Sequence, residues 1–487
     1  MELFLAIAHV TAASLVSIHV LLTHHEVRSS IGWIGLSWLS PFIGSSIYIA
    51  FGVNRVVRRA RKSGFEPRLG AMQAQCVPPV AVSDDFPENI AAIAKAGDSI
   101  SGLPLLEGNS MELFSDGDEA YPQMLKAIEE AQHSIALASY IFASDSTGHL
   151  FADKLIAASR RGVDVRVLLD GIGSGYFYVP IIKRLREGGV RTEQFLHKWA
   201  PWAMTFINLR NHKKLLVVDG KTGFTGGMNI ADENISDENL VLKGKSARAN
   251  GGNKERGRPA VRDVQARIRG PVVGHLLQAF ARDWEFTTGE SLMGDIWWPQ
   301  ISCEGDIAMR GIVSGPDDSV GQIEALFATA VEQASHRVRI VTPYFLPEDR
   351  LFEVIRRAAM RGVIVEILVP EKSNHFYFDW AMSAHMATFS LDGIGCYEVA
   401  GPFDHSKLLS VDGQWCSVGS ANWDARSMRL NFEFQVECYG KEICSRVDKL
   451  IDQKLKTGRL LQRQNIDARP IPIKLRDAAA RLFLPYL

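Results

Sequence analysis

Two stretches of this sequence share one pattern: HKKLLVVD at 212–219 and HSKLLSVD at 405–412. In both, six residues separate the aspartate from a second short segment, which reads GGMN at 226–229 and GSAN at 419–422. Because side chains alternate between the two faces of a strand, the histidine and the lysine two positions later lie on one face. The pattern predicts two strands that present His and Lys together, each followed by a turn and a returning strand that brings an Asn beside them.

The sequence before each motif is also repeated. An apolar strand, a helix that ends at Arg-Gly and a second apolar strand are predicted in both copies, at 134–142, 147–161 and 163–170 and again at 337–345, 348–361 and 363–370. Strand, helix and strand in succession form a βαβ unit, and two such units indicate an α/β protein. We therefore expect two pseudo-repeated domains, each a mixed sheet flanked by helices.

The residue types in the motifs suit chemistry on a phosphodiester. Lysine and asparagine side chains supply a cation and amide donors for phosphate oxygens, and two imidazoles can divide the roles of nucleophile and acid. The aspartate of each motif can brace the turn after its strand without touching phosphate. The candidate site residues are His212, Lys214, Asp219, His405, Lys407, Asp412, Gly227, Asn229, Ser420 and Asn422.

The paired motifs resemble those of the phospholipase D superfamily, in which two such halves form one catalytic site. The resemblance covers roughly residues 110–455, and the segment GSANWDARSMRLNFE at 419–433 is similar specifically to bacterial cardiolipin synthases. It implies that His212 attacks phosphorus to give a phosphohistidine while His405 acts as acid and then base. The implied reaction converts two phosphatidylglycerols into cardiolipin and glycerol.

No metal and no other cofactor is expected. Lys214 and Lys407 supply positive charge, and the sequence lacks a carboxylate cluster suited to Mg²⁺. Phosphatidylglycerol, other anionic phospholipids and the membrane are the expected partners, without nucleic acid, and an oligomer is compatible with these features.

An imidazole nucleophile works better when a carboxylate holds its other nitrogen, and the superfamily implies such a partner after the second motif. Here it is Glu433, 28 residues after His405, but the same offset in the first half gives Leu240. Aligning DVQARIRG from Asp263 with EFQVECYG from Glu433 places a 23-residue insertion in the first half. We expect Asp263 to hold His212 and Glu433 to hold His405, with surface charges on alternating strands as the alternative.

The insertion falls within residues 235–262 and is basic. Between 243 and 269 there are nine Lys or Arg residues against two acidic ones. A flap that contacts anionic lipid headgroups, a contact with nucleic acid and a solvated loop are the three interpretations.

The N-terminus contains two uncharged apolar segments, Leu3–Thr23 and Ile31–Val53, each long enough to cross a bilayer as a helix. A signal peptide is the alternative for the first, and re-entrant or interfacial placement for either. Five basic residues follow between 55 and 62, whereas the connecting loop has Arg28 against Glu26. The positive-inside rule then predicts a hairpin in the inner membrane with a cytoplasmic body.

These features predict the domain organisation. We expect a membrane hairpin with a basic stretch at 1–62, an irregular linker at 63–110, phospholipase D-like domains at 111–295 and 296–460, and a tail helix at 461–487. Aromatic residues near the motifs are candidates for an acyl entry surface, with packing in the core as the alternative for each: Trp199, Trp202, Phe206, Phe376, Tyr377, Phe378 and Trp380.

Other functions remain open at the level of sequence. The same motif pair suits a phospholipase D, a phosphatidyltransferase with another headgroup acceptor, or a phosphodiesterase acting on nucleic acid. A membrane-tethered scaffold without activity is the non-enzymatic alternative, and the intact motifs in both halves argue against it. The formal net charge of −1 gives the whole chain no preference for a polyanion.

Overall fold

The computed structural model describes residues 1–23, 27–52, 86–197, 209–236, 260–389, 393–462 and 468–481. The chain forms two compact units. One comprises residues 1–64 with 198–209, and the other, called the body below, comprises residues 65–197 and 210–487.

The described part of the N-terminal unit contains the helices α1 (Glu2–Thr23), α2 (Val27–Leu39) and α3 (Ile43–Ile47), followed by a π-helical turn at Tyr48–Gly52. Among the described residues, α1 alone is long and apolar enough to cross a membrane. The second apolar segment is interrupted between α2 and α3, where Pro41 cannot donate a backbone hydrogen bond and Phe42 has a φ of 57°. A helix of 13 residues spans about 20 Å, short of the roughly 30 Å hydrocarbon core.

The body is built from two similar halves. The first contains β1 (Leu106–Ser115), α5 (Asp116–Glu130), β2 (Ser134–Ser139), α6 (Ser146–Arg160), β3 (Asp164–Asp170), α7 (Pro180–Glu187), β4 (Arg191–Phe195), β5 (Arg210–Asn211), β6 (Leu215–Val218), β7 (Thr222–Gly226), β8 (Val261–Arg262), β9 (Val264–Arg269) and α8 (Val273–Thr288), with α4 (Glu88–Ser101) before them.

The second half follows a similar order, with several additional short elements. It contains β10 (Ile307–Ser314), α9 (Gln322–Gln333), β11 (Arg337–Val341), β12 (Phe345–Leu346), α10 (Asp349–Met360), β13 (Ile364–Pro370), α11 (Phe376–Phe389), β14 (Gly395–Val399), β15 (Phe403–Asp404), β16 (Leu408–Val411), β17 (Trp415–Gly419), β18 (Trp423–Asp424), α12 (Ala425–Arg429), β19 (Asn431–Tyr439), α13 (Lys441–Leu455), β20 (Gly458–Leu460) and α14 (Ile471–Arg481).

One mixed sheet runs through both halves. In the first half the strand order from the middle outward is β1-β9-β7-β6-β2-β3-β4, and in the second it is β10-β19-β17-β16-β11-β13-β14-β20. The antiparallel pair β1–β10 joins the halves. The βαβ units place β2, β3 and β4 parallel to one another, as they do β11, β13 and β14. The predicted fold class, two repeated α/β halves after an apolar N-terminus, is confirmed, and the transmembrane hairpin expected at that N-terminus stays a prediction.

Residues 88–101 form a helix where the sequence analysis expected an irregular linker. Ile90, Ile93 and Ala94 of α4 are buried in the apolar core of the second half. Gly97 lies against the guanidinium of Arg310, where a Cβ atom would clash. The helix therefore contributes to the core of the body.

The C-terminal helix α14 packs against α11. Arg469, just before α14, donates to the backbone oxygen of Ser383 at 3.2 Å, and the Arg476 guanidinium lies 4.4 Å from the Trp380 ring centroid. This helix lies within the predicted C-terminal tail.

Candidate active site

The two histidines are positioned by strands that cross between the halves. β5, just before His212, pairs in parallel with the start of β19 in the second half. β15, just before His405, pairs in parallel with β8 in the first half. The backbone N–H of His212 donates to the Phe432 oxygen at 2.9 Å, and that of His405 donates to the Arg262 oxygen at 2.7 Å. Each histidine is thus anchored beside the carboxylate-bearing strand of the opposite half.

This crossing corrects the predicted histidine–carboxylate pairs. His212 Nδ1 lies 3.0 Å from Glu433 Oε2, and His405 Nδ1 lies 2.9 Å from Asp263 Oδ2. The sequence alignment identified both carboxylates, but its assignment of Asp263 to His212 and of Glu433 to His405 is wrong. Alignment of repeats gives equivalent positions, and it does not say which half supplies a contact.

The imidazole rings of His212 and His405 approach each other in the middle of the site. Their centroids are 6.3 Å apart and their planes make an angle of 78°. With each Nδ1 bound to a carboxylate, Nε2 is the ring nitrogen left for chemistry. Burial, followed by the charge of Lys214, lowers the pKa of His212 well below its usual value. Burial and the charge of Lys407 lower the pKa of His405 to about 3.

The two motif lysines are buried beside the rings. Lys214 Nζ donates to the backbone oxygen of His212 at 2.7 Å, and Lys407 Nζ donates to that of His405. Burial lowers the pKa of Lys214 to about 7 and that of Lys407 to about 8. Burial also raises the pKa of Glu433 to about 7. Cations and carboxylates are therefore enclosed together around the histidines.

Gly227 and Ser420 occupy equivalent positions and contact the two carboxylates differently. Ser420 Oγ donates to Glu433 Oε2 at 2.5 Å, and Asn431 Nδ2 donates to the other oxygen at 3.2 Å. A Cβ atom on Gly227 would meet the Asp263 carboxylate, which accepts from the Val264 N–H at 2.8 Å. Glycine is needed where the carboxylate itself fills the space.

Asp219 and Asp412 lie at the far ends of β6 and β16 from the histidines. Asp219 accepts from the backbone N–H groups of residues 132, 133 and 134 at 2.7–2.9 Å. Asp412 accepts from those of residues 335, 336 and 337, each at 2.8 Å. These contacts fix the backbone before β2 and before β11. Both residues therefore brace the fold, the role that their position in the motif allowed, and they do not join the reacting groups with the other candidate site residues.

The two asparagines of the returning segments are buried next to the motif strands. Asn229 Oδ1 accepts from the Ile141 N–H at 3.3 Å, and its backbone oxygen accepts from the Tyr121 hydroxyl at 2.7 Å. Asn422 Oδ1 is buried without a hydrogen-bond partner in the described part of the chain.

Two aromatic rings beside the histidines escaped the sequence analysis. The Tyr140 ring meets the edge of His212 at 5.0 Å between centroids, and Lys214 Nζ lies 5.2 Å from the same ring. Phe403 lies 5.7 Å from His405. Tyr140 lies near the end of the strand predicted at 134–142, and Phe403 precedes His405 by two residues. Their nearness to the predicted site was the available signal.

The segment that contains each motif histidine also forms a buried ion pair with a helix of the same half. Lys213 Nζ lies 2.8 Å from Asp283, which also accepts from the Asn211 amide at 2.9 Å. In the second half the charges are exchanged, because Asp404 of the motif segment accepts from Lys454 of α13 at 2.5 Å. In the sequence, the signal for the first of these pairs was Lys213, a charged residue within a predicted strand.

Three of the predicted aromatic entry residues, Trp199, Trp202 and Phe206, lie outside the described residues, as does most of the basic insertion. The others lie on α11, where Phe376 is exposed and Phe378 is buried in the core.

Comparison with known proteins identifies the family. The family described as "Cardiolipin synthase, PLD-like domain" matches residues 124–248 and 327–455. The chain is 29% identical to a cardiolipin synthase of Oceanobacillus iheyensis, over 100% of this chain and 99% of the relative. It is also 29% identical to the major cardiolipin synthase of Bacillus subtilis, over 95% and 94% of the two chains.

The fold is shared with a solved structure, the phosphatidylserine synthase of Haemophilus influenzae. The TM-score is 0.59 at 14% identity, with 81% of this chain and 100% of that chain covered. Two complete motif halves, matched in order by the family's repeated domain, show that the chain belongs to the cardiolipin synthase family of PLD-like domain proteins.

Proposed function

We propose that the protein is a membrane-associated phosphatidyltransferase that makes cardiolipin and glycerol from two molecules of phosphatidylglycerol. The observation that carries the proposal is the pair of facing histidines, each held at Nδ1 by a carboxylate of the opposite half. The relatives named cardiolipin synthase along the full length of the chain support the choice of reaction.

In the first step, Nε2 of His212 attacks the phosphorus of the donor lipid. Its lowered pKa keeps the ring neutral and its lone pair available. The bond from phosphorus to the glycerol headgroup oxygen breaks, and His405 gives its proton to that oxygen. A bound anionic phosphate raises the pKa of His405 from about 3 and so permits it to carry that proton.

The intermediate is a phosphatidyl group on His212. Glu433 stabilises the positive charge that develops on this ring, as a carboxylate does in other histidine-dependent sites. His405, now neutral, takes the proton of a hydroxyl on a second phosphatidylglycerol. That oxygen attacks phosphorus, the P–N bond breaks, and cardiolipin leaves with both histidines restored.

Lys214 and Lys407 hold the negative oxygens of the phosphate during both steps. Their buried ammonium groups are hydrogen-bonded to the histidine backbones, so their positions are fixed before substrate arrives. Asn229 and Asn422 add amide donors from the returning segments.

The apolar helix α1 supports attachment to a membrane, and the basic residues after the second apolar segment support an inner-membrane protein with a cytoplasmic body.

Incubating the purified protein with phosphatidylglycerol as the sole lipid tests the function. Cardiolipin and glycerol in equal amounts are expected by mass spectrometry, and the activity should survive EDTA treatment. Phosphatidic acid without cardiolipin would instead indicate a phospholipase D, and cleavage of single-stranded DNA alone would indicate a nuclease. The His212→Asn protein is the control for contaminating activity.

A further inference from the structure

Each half carries three consecutive aromatic residues at the same place in the repeat. Tyr176–Tyr178 begins six residues after the end of β3, and Phe376–Phe378 begins six residues after the end of β13. The two aromatic segments, as these are called here, therefore follow the carboxyl ends of equivalent strands. The site lies at this same end, because Asp170, the last residue of β3, accepts from the backbone N–H of Asn211 at 2.7 Å, next to His212.

The first aromatic segment is one contact away from the residues around His212. Ser174 Oγ donates to the Tyr140 backbone oxygen at 3.2 Å, and the Tyr140 ring contacts His212. Within the segment Phe177 is 80% exposed and Tyr178 is 71% exposed. Large aromatic side chains are thus presented to the surroundings beside the site.

The second aromatic segment is connected to His405 through a series of ring contacts. Phe403, which contacts His405, lies 6.1 Å from Tyr344, and Tyr344 lies 4.3 Å from Phe378. At the start of α11, Phe376 is 64% exposed.

The exposed surface continues onto α14. Phe376 packs edge-on against Trp380 at 4.8 Å, and Arg476 of α14 lies over the Trp380 ring. Ile471 and Leu475, four residues apart on one face of α14, are 71% and 65% exposed. Arg476 and Lys474 add positive charge next to these apolar side chains.

We propose that the two aromatic segments and the apolar face of α14 contact the surface of the lipid bilayer on either side of the site. This inference rests on the proposed function, since a donor and an acceptor lipid must bring their phosphates to the histidines. Withdrawing whole acyl chains into water is unfavourable, so the entrance must meet the bilayer at headgroup depth. Aromatic rings favour this depth, and basic residues beside them favour anionic headgroups.

Environment-sensitive fluorophores test the contact in the full-length protein. Phe177→Cys and Phe376→Cys are labelled separately in a background with Cys76→Ser and Cys303→Ser, and His212→Asn prevents turnover. In vesicles of phosphatidylglycerol and phosphatidylcholine, both labels should shift to the blue and be quenched by lipids that carry a nitroxide on the acyl chain.

Met360→Cys is the matched control. Met360 is 71% exposed, but it ends α10 just before the amino end of β13. Phe376 follows the carboxyl end of the same strand, so the two residues lie at opposite ends of β13. Its label should be quenched little. Equal quenching at all three positions, or none at residues 177 and 376, would overturn the proposal. A blue shift without quenching would also overturn it, because the segments would then be covered by protein, such as a second copy of the chain.

A kinetic comparison separates membrane contact from a role in the chemistry. Phe177→Ser with Tyr178→Ser should lower activity on vesicles about tenfold and leave activity on detergent-dispersed phosphatidylglycerol unchanged. The control variant, Met360→Ser, should leave both activities unchanged. An equal loss on both substrates would show that the segment shapes the site instead. The fluorescence experiment needs no turnover, so its outcome stands even if the protein proves not to make cardiolipin.

Discussion

The surroundings of His212 and of His405 reach the same geometry with different residues. Nδ1 of each ring contacts a carboxylate at 2.9–3.0 Å, yet one carboxylate belongs to a glutamate and the other to a shorter aspartate. Glu433 is fixed by the Ser420 hydroxyl and the Asn431 amide, whereas Asp263 occupies the space that a side chain at Gly227 would need. A carboxylate oxygen therefore lies at the same place beside each ring, although different residues hold it there.

The support behind the motifs differs in the same way. The motif segment supplies the cation in the Lys213–Asp283 pair and the anion in the Asp404–Lys454 pair. A buried charge is costly unless it is paired, so replacement of one member alone would have been strongly destabilising. Both halves contain an ion pair without net charge, and they differ only in whether the motif segment supplies the cation or the anion.

Loss of either histidine tests whether the two halves form one site. His212→Asn and His405→Asn should each lower kcat by about 10²-fold to 10⁴-fold or more, because each removes a group that acts in both steps. Rates of cardiolipin formation, with melting temperatures as a check on folding, provide the measurement. An activity above about a tenth of the wild-type value in either variant would mean that one half works alone.

The crossed pairs predict which ring responds to which carboxylate. Asp263→Asn should perturb the ring of His405, and Glu433→Gln that of His212, with about a 10²-fold loss of kcat in each case. Nitrogen-15 spectra of the imidazoles, assigned with the histidine variants, report the Nδ1 contact directly. Glu255→Gln, outside the catalytic set, is the control for a lost acidic residue. A response of His212 to Asp263→Asn would restore the pairing expected from the aligned repeat.

The sequence identifies the two histidines and the two carboxylates, but it does not show which carboxylate contacts which histidine. Strand periodicity and the aligned repeat identify His212, His405, Asp263 and Glu433, because these depend on local spacing. The exchange of partners depends on β5 and β15 pairing across the halves, a contact between residues more than 140 apart. Local patterns contain no information on such pairing.

The helix α4 shows a different cause of error. The prolines spread through residues 63–110 suggest an irregular linker, yet residues 88–101 contain no proline and are rich in alanine, which favours a helix. Packing against α9 and the ion pair between Asp98 and Arg310 attach this helix to the body.

The pH dependence should distinguish the two carboxylates. Only ionised Glu433 can stabilise positive charge on His212, and its pKa is raised to about 7, so kcat should fall about tenfold per pH unit below that value. Above it the rate falls again as Lys214, with a pKa of about 7, loses its charge. Residual activity of Glu433→Gln should lack the acidic decline, and that of Asp263→Asn should keep it. The measurement is kcat between about pH 5 and 9, with melting temperatures at each pH. An unchanged acidic decline in Glu433→Gln would assign it to another group.

The smallest effect is expected where the halves differ by a single hydroxyl. Ser420→Ala removes the 2.5 Å hydrogen bond to Glu433 and leaves the Asn431 amide as its side-chain donor. Part of a charge-assisted hydrogen bond, about 1 kcal/mol, should then be lost from the transition state, which corresponds to roughly a fivefold fall in kcat. Ser410→Ala is the matched control, because the Ser410 hydroxyl is buried on β16 without a hydrogen-bond partner among the described residues. Equal kcat values for the two variants would show that the hydrogen bond from Ser420 does not contribute to the function of Glu433. The presence of Ser420 in one half and Gly227 in the other would then be a difference in packing alone.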